Sequence, residues 1–77
     1  MKLEIISPSE IMFSGDVDSV TLPGVKGKFT VLKNHASLIS ALKPGTIRFL
    51  NGSEERKVEI RGGLADIDNN KIAVCVY

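Results

Sequence analysis

The sequence is most constrained by its short runs of alternating apolar and polar residues, which end at glycine, proline or asparagine. Alternation with a period of two puts apolar side chains on one face of an extended strand. The clearest example is the pair of runs at residues 46–50 and 56–61, which flank residues 51–55 (NGSEE). Asn-Gly between two alternating runs is the strongest short signal for a β-hairpin. A succession of such runs predicts an all-β fold.

The same reasoning predicts strands over most of the chain. They cover residues 3–6, 11–14, 17–22, 29–32, 37–42, 46–50, 56–61, 64–67 and 71–77. About eight to ten short, mainly antiparallel strands with closely spaced turns are typical of a small sandwich or flattened barrel. A length of 77 residues suffices for one domain only, so we expect residues 1–77 to form a single β-sandwich domain.

Glycine, proline and asparagine predict where the strands turn. We expect turns at Gly15-Asp16 and at residues 68–70, a hairpin connection at residues 23–28, and a bulge or bend at Gly62-Gly63. Lys43-Pro44-Gly45 predicts a type II turn, because proline fixes φ near about −65° and glycine accepts the positive φ of the next position.

Residues 35–48 are the longest stretch without clear alternation, and we interpret them as a non-strand passage within the β fold. Inside this stretch, residues 37–42 fit a strand or a helical turn. We favour the strand, which puts Leu38, Ser40 and Leu42 on one face. Loops on a rigid scaffold commonly carry function. We therefore expect the binding surface in this region.

The last run, residues 71–77, is apolar on both faces, which predicts a central strand covered on both sides. It contains Cys75, the only cysteine of the chain, which we expect to be a buried side chain. The aromatic residues also lie in apolar runs and are expected in the core: Phe13, Phe29, Phe49 and Tyr77.

Charge is distributed unevenly along a chain whose net charge is only +1. Residues 19–53 carry five cations and no acidic residue: Lys26, Lys28, Lys33, Lys43 and Arg48. Residues 1–18 and residues 54–77 each carry a net negative charge. A basic middle segment indicates an acidic partner or a membrane surface.

The chain lacks the residue sets that common catalytic and metal sites require. With one histidine and one cysteine, it cannot build a zinc site from those ligands. Residues 23–28 lack the spacing of a phosphate-binding loop, and residues 66–70 lack the glycine and terminal glutamate of a calcium loop. We therefore expect no enzyme activity, no metal and no cofactor.

Other functions also fit a small basic β domain. A nucleic-acid-binding β-barrel would use exposed aromatic residues for base stacking, which the expected core positions of the aromatic residues disfavour. A carrier domain would need a modified lysine at a hairpin tip, and Lys26 is the candidate. His35 fits either a loop histidine hydrogen-bonded to nearby backbone or a contact residue on the binding surface.

Several motifs, taken in order, resemble a known family. They are residues 12–15 (MFSG), 20–24 (VTLPG), 34–38 (NHASL), 42–48 (LKPGTIR) and Gly62-Gly63 before a valine-rich strand. This order is similar to that of the N-terminal β-sandwich of the epsilon subunit of bacterial F-type ATP synthase, which is called delta in mitochondria. The resemblance spans nearly the whole chain.

The resemblance implies a non-catalytic rotor part of the central stalk, which clamps the gamma subunit and rests on the polar loops of the membrane c-ring. It implies a peripheral location on the cytoplasmic face of the plasma (inner) membrane and a role in proton-driven ATP synthesis. By position, it implies gamma contacts at His35, Ser37, Leu38, Ser40, Leu42 and Pro44, and c-ring contacts at Lys26, Gly27 and Lys28.

The chain departs from the family pattern in its glycine loop and in its length. Lys28 stands where the family usually has an acidic residue, and Thr30 stands near a usual glycine. If the ring contact is electrostatic, the ring loop that meets Lys28 should be acidic or neutral. The family commonly continues into a C-terminal helical hairpin, which we expect to be absent from residues 1–77.

Overall fold

In a computed structural model that describes residues 1–77, the chain forms nine β-strands and no helix. The strands are β1 (Lys2–Ile6), β2 (Ile11–Asp16), β3 (Ser19–Gly24), β4 (Gly27–Leu32), β5 (Leu38–Leu42), β6 (Gly45–Asn51), β7 (Glu54–Ile60), β8 (Gly63–Asp68) and β9 (Lys71–Val76). The predicted all-β fold is confirmed. The structure contains no helix of the length and apolar character needed to cross a membrane.

The strands hydrogen-bond in the order β2-β1-β9-β8-β5-β3-β6-β7, and β4 also pairs with β3. All pairs are antiparallel except β1 with β9. Strand β3 pairs with β4 along its whole length, whereas its other edge is shared by β6, at residues 19–21, and β5, at Gly24. The sheet therefore folds over at β3 into a β9 layer (β2-β1-β9-β8-β5) and a β3 layer (β4-β3-β6-β7).

The core lies between these two layers. It consists of 15 apolar side chains: Leu3, Ile5, Val17, Val20, Leu22, Val31, Leu42, Ile47, Phe49, Ile60, Ala65, Ile67, Ile72, Val74 and Val76. Strands β8 and β9 alternate between buried and less buried positions along their lengths, as the period-two pattern predicts. No polar or charged side chain is buried.

Two hairpin turns follow the sequence prediction closely. Asn69-Asn70 joins β8 to β9 with φ values of 51° and 59°, and positive φ at both central residues is the pattern of a type I′ turn. After β6, the chain turns at Gly52-Ser53, because Asn51 pairs with Glu54. Gly52 takes the positive φ of 64°. The predicted hairpin is confirmed, but its two turn residues are Gly52 and Ser53, one residue later than the Asn51-Gly52 pair.

Two predicted turns are wrong. Gly15-Asp16 belongs to β2, because β1 continues to pair with β2 as far as Asp16, and the chain turns at Val17-Asp18 instead. Gly45 is not at a positive φ and begins β6, so residues 43–45 do not form a type II turn. Glycine is favoured at position 45, because a Cβ there would lie 3.0 Å from the Cβ of Pro23 and would crowd it.

The non-strand passage predicted for residues 35–48 is also wrong for most of its length. Strands β5 and β6 occupy much of it, and the loop before β5 is confined to residues 33–37. The extended form favoured for residues 37–42 is confirmed by β5. The two serines at residues 37 and 40 obscured the strand pattern, although β5 pairs along its whole length with β8.

Strand β9 is central in its layer, as predicted, but it is covered on one side only. Ile72, Val74 and Val76 face the core, whereas Cys75 is exposed. The expected burial of Cys75 and of Tyr77, which is 81% exposed, is therefore wrong. The physical reason is that the sandwich has two layers, so no part of residues 1–77 packs on the outer side of β9.

The edges of the two layers meet through aromatic side chains. The rings of Phe13 in β2 and Phe49 in β6 lie 4.5 Å apart between centroids, with an angle of 48° between their planes. The Arg56 guanidinium carbon of β7 lies 5.3 Å from the centroid of Phe13 and 5.9 Å from that of Phe49. This aromatic clasp closes the sandwich along the side opposite to the fold at β3.

Candidate interaction surface

The β3–β4 hairpin and strand β5 are joined by backbone hydrogen bonds. The amide of Val25, at the hairpin tip, donates to the carbonyl of Ala41 at 3.0 Å. The amide of Lys43 donates to the carbonyl of Pro23 at 2.9 Å. The two regions that the sequence analysis assigned to different partners therefore form one continuous surface.

A groove runs between this hairpin and β5. It has a volume of about 600 Å³ and is lined by residues 24–29 and 38–41. We call it the hairpin groove. Its apolar members are Val25, Phe29, Leu38, Ile39 and Ala41, and its charged members are Lys26 and Lys28. A surface that is both apolar and basic is suited to contact with a protein partner.

Glycine fixes the shape of the hairpin at two positions for two different reasons. Gly27 has a φ of 132°, which L side chains rarely adopt. A Cβ on Gly24 would lie 2.8 Å from the carbonyl oxygen of Gly27 and 2.9 Å from the ring of Phe29. The hairpin can therefore turn in only two residues, which holds Val25 and Lys26 at its tip.

Leu38, Ser40 and Leu42 share one face of β5, as predicted, and that face is turned towards the core. Leu42 is 4% exposed and belongs to the core. Ser40 is half-buried, and Leu38 is 39% exposed, less than the neighbouring Ile39. The outward residues are Ile39, which is 67% exposed, and Ala41.

Sequence reasoning missed the residues that form the exposed apolar part of the surface. Ile39 and Val25 are 67% and 54% exposed, and Leu64 on the neighbouring strand β8 is 49% exposed. Both faces of β5 carry apolar residues, so the alternation in the sequence does not show which face packs against the core. The position of Val25 beside β5 depends on the branching of the sheet at β3, for which the sequence carries no local signal.

The predicted residues before β5 lie in a polar loop that is tied to the β8–β9 turn. The Nδ1 of His35 is 2.6 Å from the carbonyl oxygen of Ala36, to which it donates a hydrogen bond. The hydroxyl of Ser37 donates to Oδ1 of Asp68 at 2.5 Å. The interpretation of His35 as a loop histidine bonded to nearby backbone is confirmed, and its role as a contact residue stays a prediction.

The loop is further fixed by a pair of asparagines. The amide of Asn34 donates to Oδ1 of Asn70 at 2.7 Å, and Nδ2 of Asn70 donates to Oδ1 of Asn34 at 3.2 Å. Asn34 has a φ of 65°, a conformation that asparagine tolerates better than most residues. These bonds fix the loop that carries His35 before β5, whereas the exposed Pro44 lies beyond the other end of β5.

The lysines of this surface have no ionic partner. The two ion pairs of the chain are weak ones, from Glu55 to Arg48 at 3.7 Å and from Glu55 to Lys57 at 3.9 Å. Lys26, Lys28 and Lys43 take part in neither. Because uncompensated positive charge projects into solvent here, the surface favours an acidic partner.

No group of three or more histidine, cysteine, aspartate or glutamate side chains is placed to hold a metal ion. The only histidine is hydrogen-bonded to backbone, and the only cysteine stands alone on the outer face of β9. The structure is a two-layer sandwich with an exposed apolar and basic surface.

The fold and this surface define a small β-sandwich domain with an apolar and basic contact face. Over residues 1–77, the chain matches the family described as the β-sandwich domain of the ATP synthase delta/epsilon chain, and it belongs to this family.

Curated relatives agree with this assignment. The chain is 42% identical over 71 residues to the ATP synthase epsilon chain of Chlorobium limicola, covering 91% of this chain and 81% of the relative. It is 39% identical over 71 residues to ATP synthase epsilon chain 1 of Nitrobacter hamburgensis, covering 92% of this chain and 53% of the relative. The chain spans about half the length of several of the curated relatives that it matches.

Solved structures contain the same fold. A chain of the Euglena gracilis mitochondrial ATP synthase superposes with a TM-score of 0.89 at 21% identity, covering 96% of this chain and 48% of that one. A chain of the Tetrahymena thermophila mitochondrial ATP synthase central stalk and c-ring superposes with a TM-score of 0.84 at 15% identity, covering 97% and 61%. The nucleic-acid-binding alternative receives no support from these relatives.

Proposed function

We propose that the chain is a non-catalytic central-stalk subunit of an F-type ATP synthase, which couples the gamma subunit to the c-ring during proton-driven ATP synthesis. The observation that carries this proposal is the single continuous surface formed by the β3–β4 hairpin and β5 in a member of the epsilon-chain family. A rotor part must transmit force without deforming. A closed sandwich with a fully apolar core meets that need.

The gamma contact is proposed along β5 and the loop before it. His35, Ser37, Leu38, Ser40 and Pro44 remain its candidates, and the exposed face of β5 adds Ile39 and Ala41. The buried side chain of Leu42 would support this contact from the core. Exposed aliphatic residues framed by polar ones are the usual composition of a protein interface.

The c-ring contact is proposed at the hairpin tip, through Lys26, Gly27 and Lys28. The two lysines are exposed and make no ion pair, so an opposing ring loop should be acidic or neutral. Through these contacts the chain would be peripheral to the membrane, on its cytoplasmic face. The shared groove implies that the gamma and ring contacts adjoin one another rather than occupying separate faces.

Substitution of Ile39 tests this proposal. We expect Ile39→Asp to reduce co-purification of the chain with its own gamma subunit at least about tenfold, because a carboxylate would be buried without a partner. Leu32→Asp is the matched control, since Leu32 is 58% exposed on β4 and lies outside the hairpin groove. Equal retention of both variants, or loss with Leu32→Asp alone, would contradict the proposal.

A further inference from the structure

A second groove lies on the outer face of the β3 layer, around the middle of β3. It has a volume of about 390 Å³ and is lined by Thr21, Pro23, Lys28, Lys43, Pro44, Gly45, Thr46 and Arg48. We call it the basic groove. Three of its eight lining residues are cations, and none is acidic.

The strand register explains why the cations converge. Pro23 pairs with Lys28 of β4, and Thr21 pairs with Arg48 of β6. Thr21 and Pro23 are two residues apart in β3, so their side chains and those of their cross-strand partners project from the same face. That face is the outer one, because the Thr21 hydroxyl lies 2.9 Å from the exposed hydroxyl of Thr30.

The third cation, Lys43, belongs to the connection between β5 and β6. The amide of Lys43 donates to the carbonyl of Pro23 at 2.9 Å, which holds the β5–β6 connection against β3. Gly45 permits this approach, because any Cβ there would meet the side chain of Pro23 at 3.0 Å. The fold thus gathers cations from β4, from β6 and from the β5–β6 connection around one concave surface.

The positive charge of this groove is only weakly compensated. Arg48 faces Glu55 at 3.7 Å, and that carboxylate is shared with Lys57. Glu59 accepts the hydroxyl of Thr46 at 2.6 Å, outside the groove lining. Lys28 and Lys43 have no acidic neighbour within ion-pair distance. Two of the three cations, Lys28 and Lys43, are therefore unpaired, and this excess of positive charge favours binding of an anion.

We propose that the basic groove binds an acidic, extended peptide segment of a partner protein. The cations come from three separate elements of the fold and are all exposed, which suits carboxylates spaced along a chain. A compact free anion such as phosphate is usually bound by converging backbone amides, whereas here Lys43 donates its amide to Pro23, and Pro23 and Pro44 have none. The inference does not require the rotor proposal, but the basic groove shares Lys28 and Pro44 with the proposed rotor contacts, whereas Lys43 and Arg48 lie outside the hairpin groove.

The test uses the 77-residue chain alone, with a synthetic peptide of alternating glutamate and glycine as the probe. Amide chemical shifts of the labelled chain are followed by NMR during titration. We expect the shifts to concentrate at Thr21, Lys28, Thr46 and Arg48, and to vanish with a peptide of alternating glutamine and glycine.

Charge reversal supplies the matched comparison. Lys28→Glu with Lys43→Glu should weaken binding of the acidic peptide about tenfold, and added salt should weaken it further. Lys33→Glu with Lys71→Glu changes the net charge equally, outside the groove, and should have little effect. Retained NMR spectra would show that all the variants are folded.

Three outcomes would overturn the proposal. The first is a set of shifts spread over all lysines, or equal losses in the two double variants, which would indicate non-specific attraction. The second is a stronger response at the same residues to inorganic phosphate. The third is binding to vesicles containing phosphatidylserine without binding to the acidic peptide, which would assign the surface to a lipid membrane.

Discussion

At the scale of single residues, two glycines allow the chain to pass from β7 in one layer to β8 in the other and to pair there with β9. Gly62 has a φ of 139°, and a Cβ on Gly63 would lie 2.2 Å from the carbonyl oxygen of Cys75. The two residues of the Gly62-Gly63 pair, predicted to be a bulge or bend, therefore have different structural roles. The first residue redirects the chain after β7, and the second lets β8 approach β9.

Gly63→Ala is expected to be among the most damaging single substitutions. The added methyl group would collide with backbone rather than with a movable side chain, so we expect a loss of about 3 kcal/mol in the free energy of unfolding. Urea denaturation measures this loss. Gly15→Ala is the control, because its Cβ would meet only the ring of Phe13 at 3.2 Å, and it should change stability by less than about 1 kcal/mol. Equal effects would contradict this account of Gly63.

The thiol of Cys75 gives a second prediction at this scale. Cys75 is exposed on the outer face of β9, so it should react with a thiol reagent in the native protein without denaturant. The rate of modification, followed by mass spectrometry, should change little when urea unfolds the chain. A thiol that reacts only after unfolding would show that a further element covers this face.

At the scale of elements, the aromatic clasp joins the edge strand β2 to the opposite layer. Arg56 lies within 6 Å of the ring centroids of both Phe13 and Phe49. Replacing Arg56 with glutamine removes the charge but keeps much of the side-chain length. We expect this change to lower the free energy of unfolding by about 1 kcal/mol, measured by thermal or urea denaturation. Arg61→Gln, at an exposed position just after β7, should have no comparable effect.

Much of the element pattern could be predicted from the sequence. Alternation identified the β6–β7 and β8–β9 hairpins, because one face of each strand is buried and the turns contain Gly52, Asn69 and Asn70. The turns predicted at Gly15-Asp16 and at Gly45 were wrong, because each of these glycines lies in a strand. Local sequence cannot reveal this use of Gly45, because its close approach is to Pro23, which is distant in the chain.

The candidate surface was only partly predictable for the same reason. The basic character of residues 19–53 is visible in the sequence, but the meeting of Lys28, Lys43 and Arg48 depends on how β3 is shared between β5 and β6. The choice of Leu38, Ser40 and Leu42 as one face of β5 was sound. Which face lies outward depends on the other layer of the sandwich, so Ile39 was missed.

At the scale of the whole molecule, the domain is a two-layer sandwich whose candidate interaction residues lie on its surface. The buried core is entirely apolar, and uncompensated charge is concentrated near the β3–β4 hairpin and the β5–β6 connection. Such a body can transmit force between partners through shape and charge alone. Its stability should rise when a partner binds, since binding favours the folded state by mass action.

The most direct test of the central claim is site-specific photo-crosslinking in the assembled ATP synthase. A photoreactive residue is introduced in turn at Ile39, Lys26 and Leu32, and the crosslinked partners are identified by mass spectrometry. The account predicts crosslinks to gamma from position 39, to the c-ring from position 26, and to neither from position 32. Crosslinks to gamma or the ring from position 32 alone, or from none of the three positions, would contradict it.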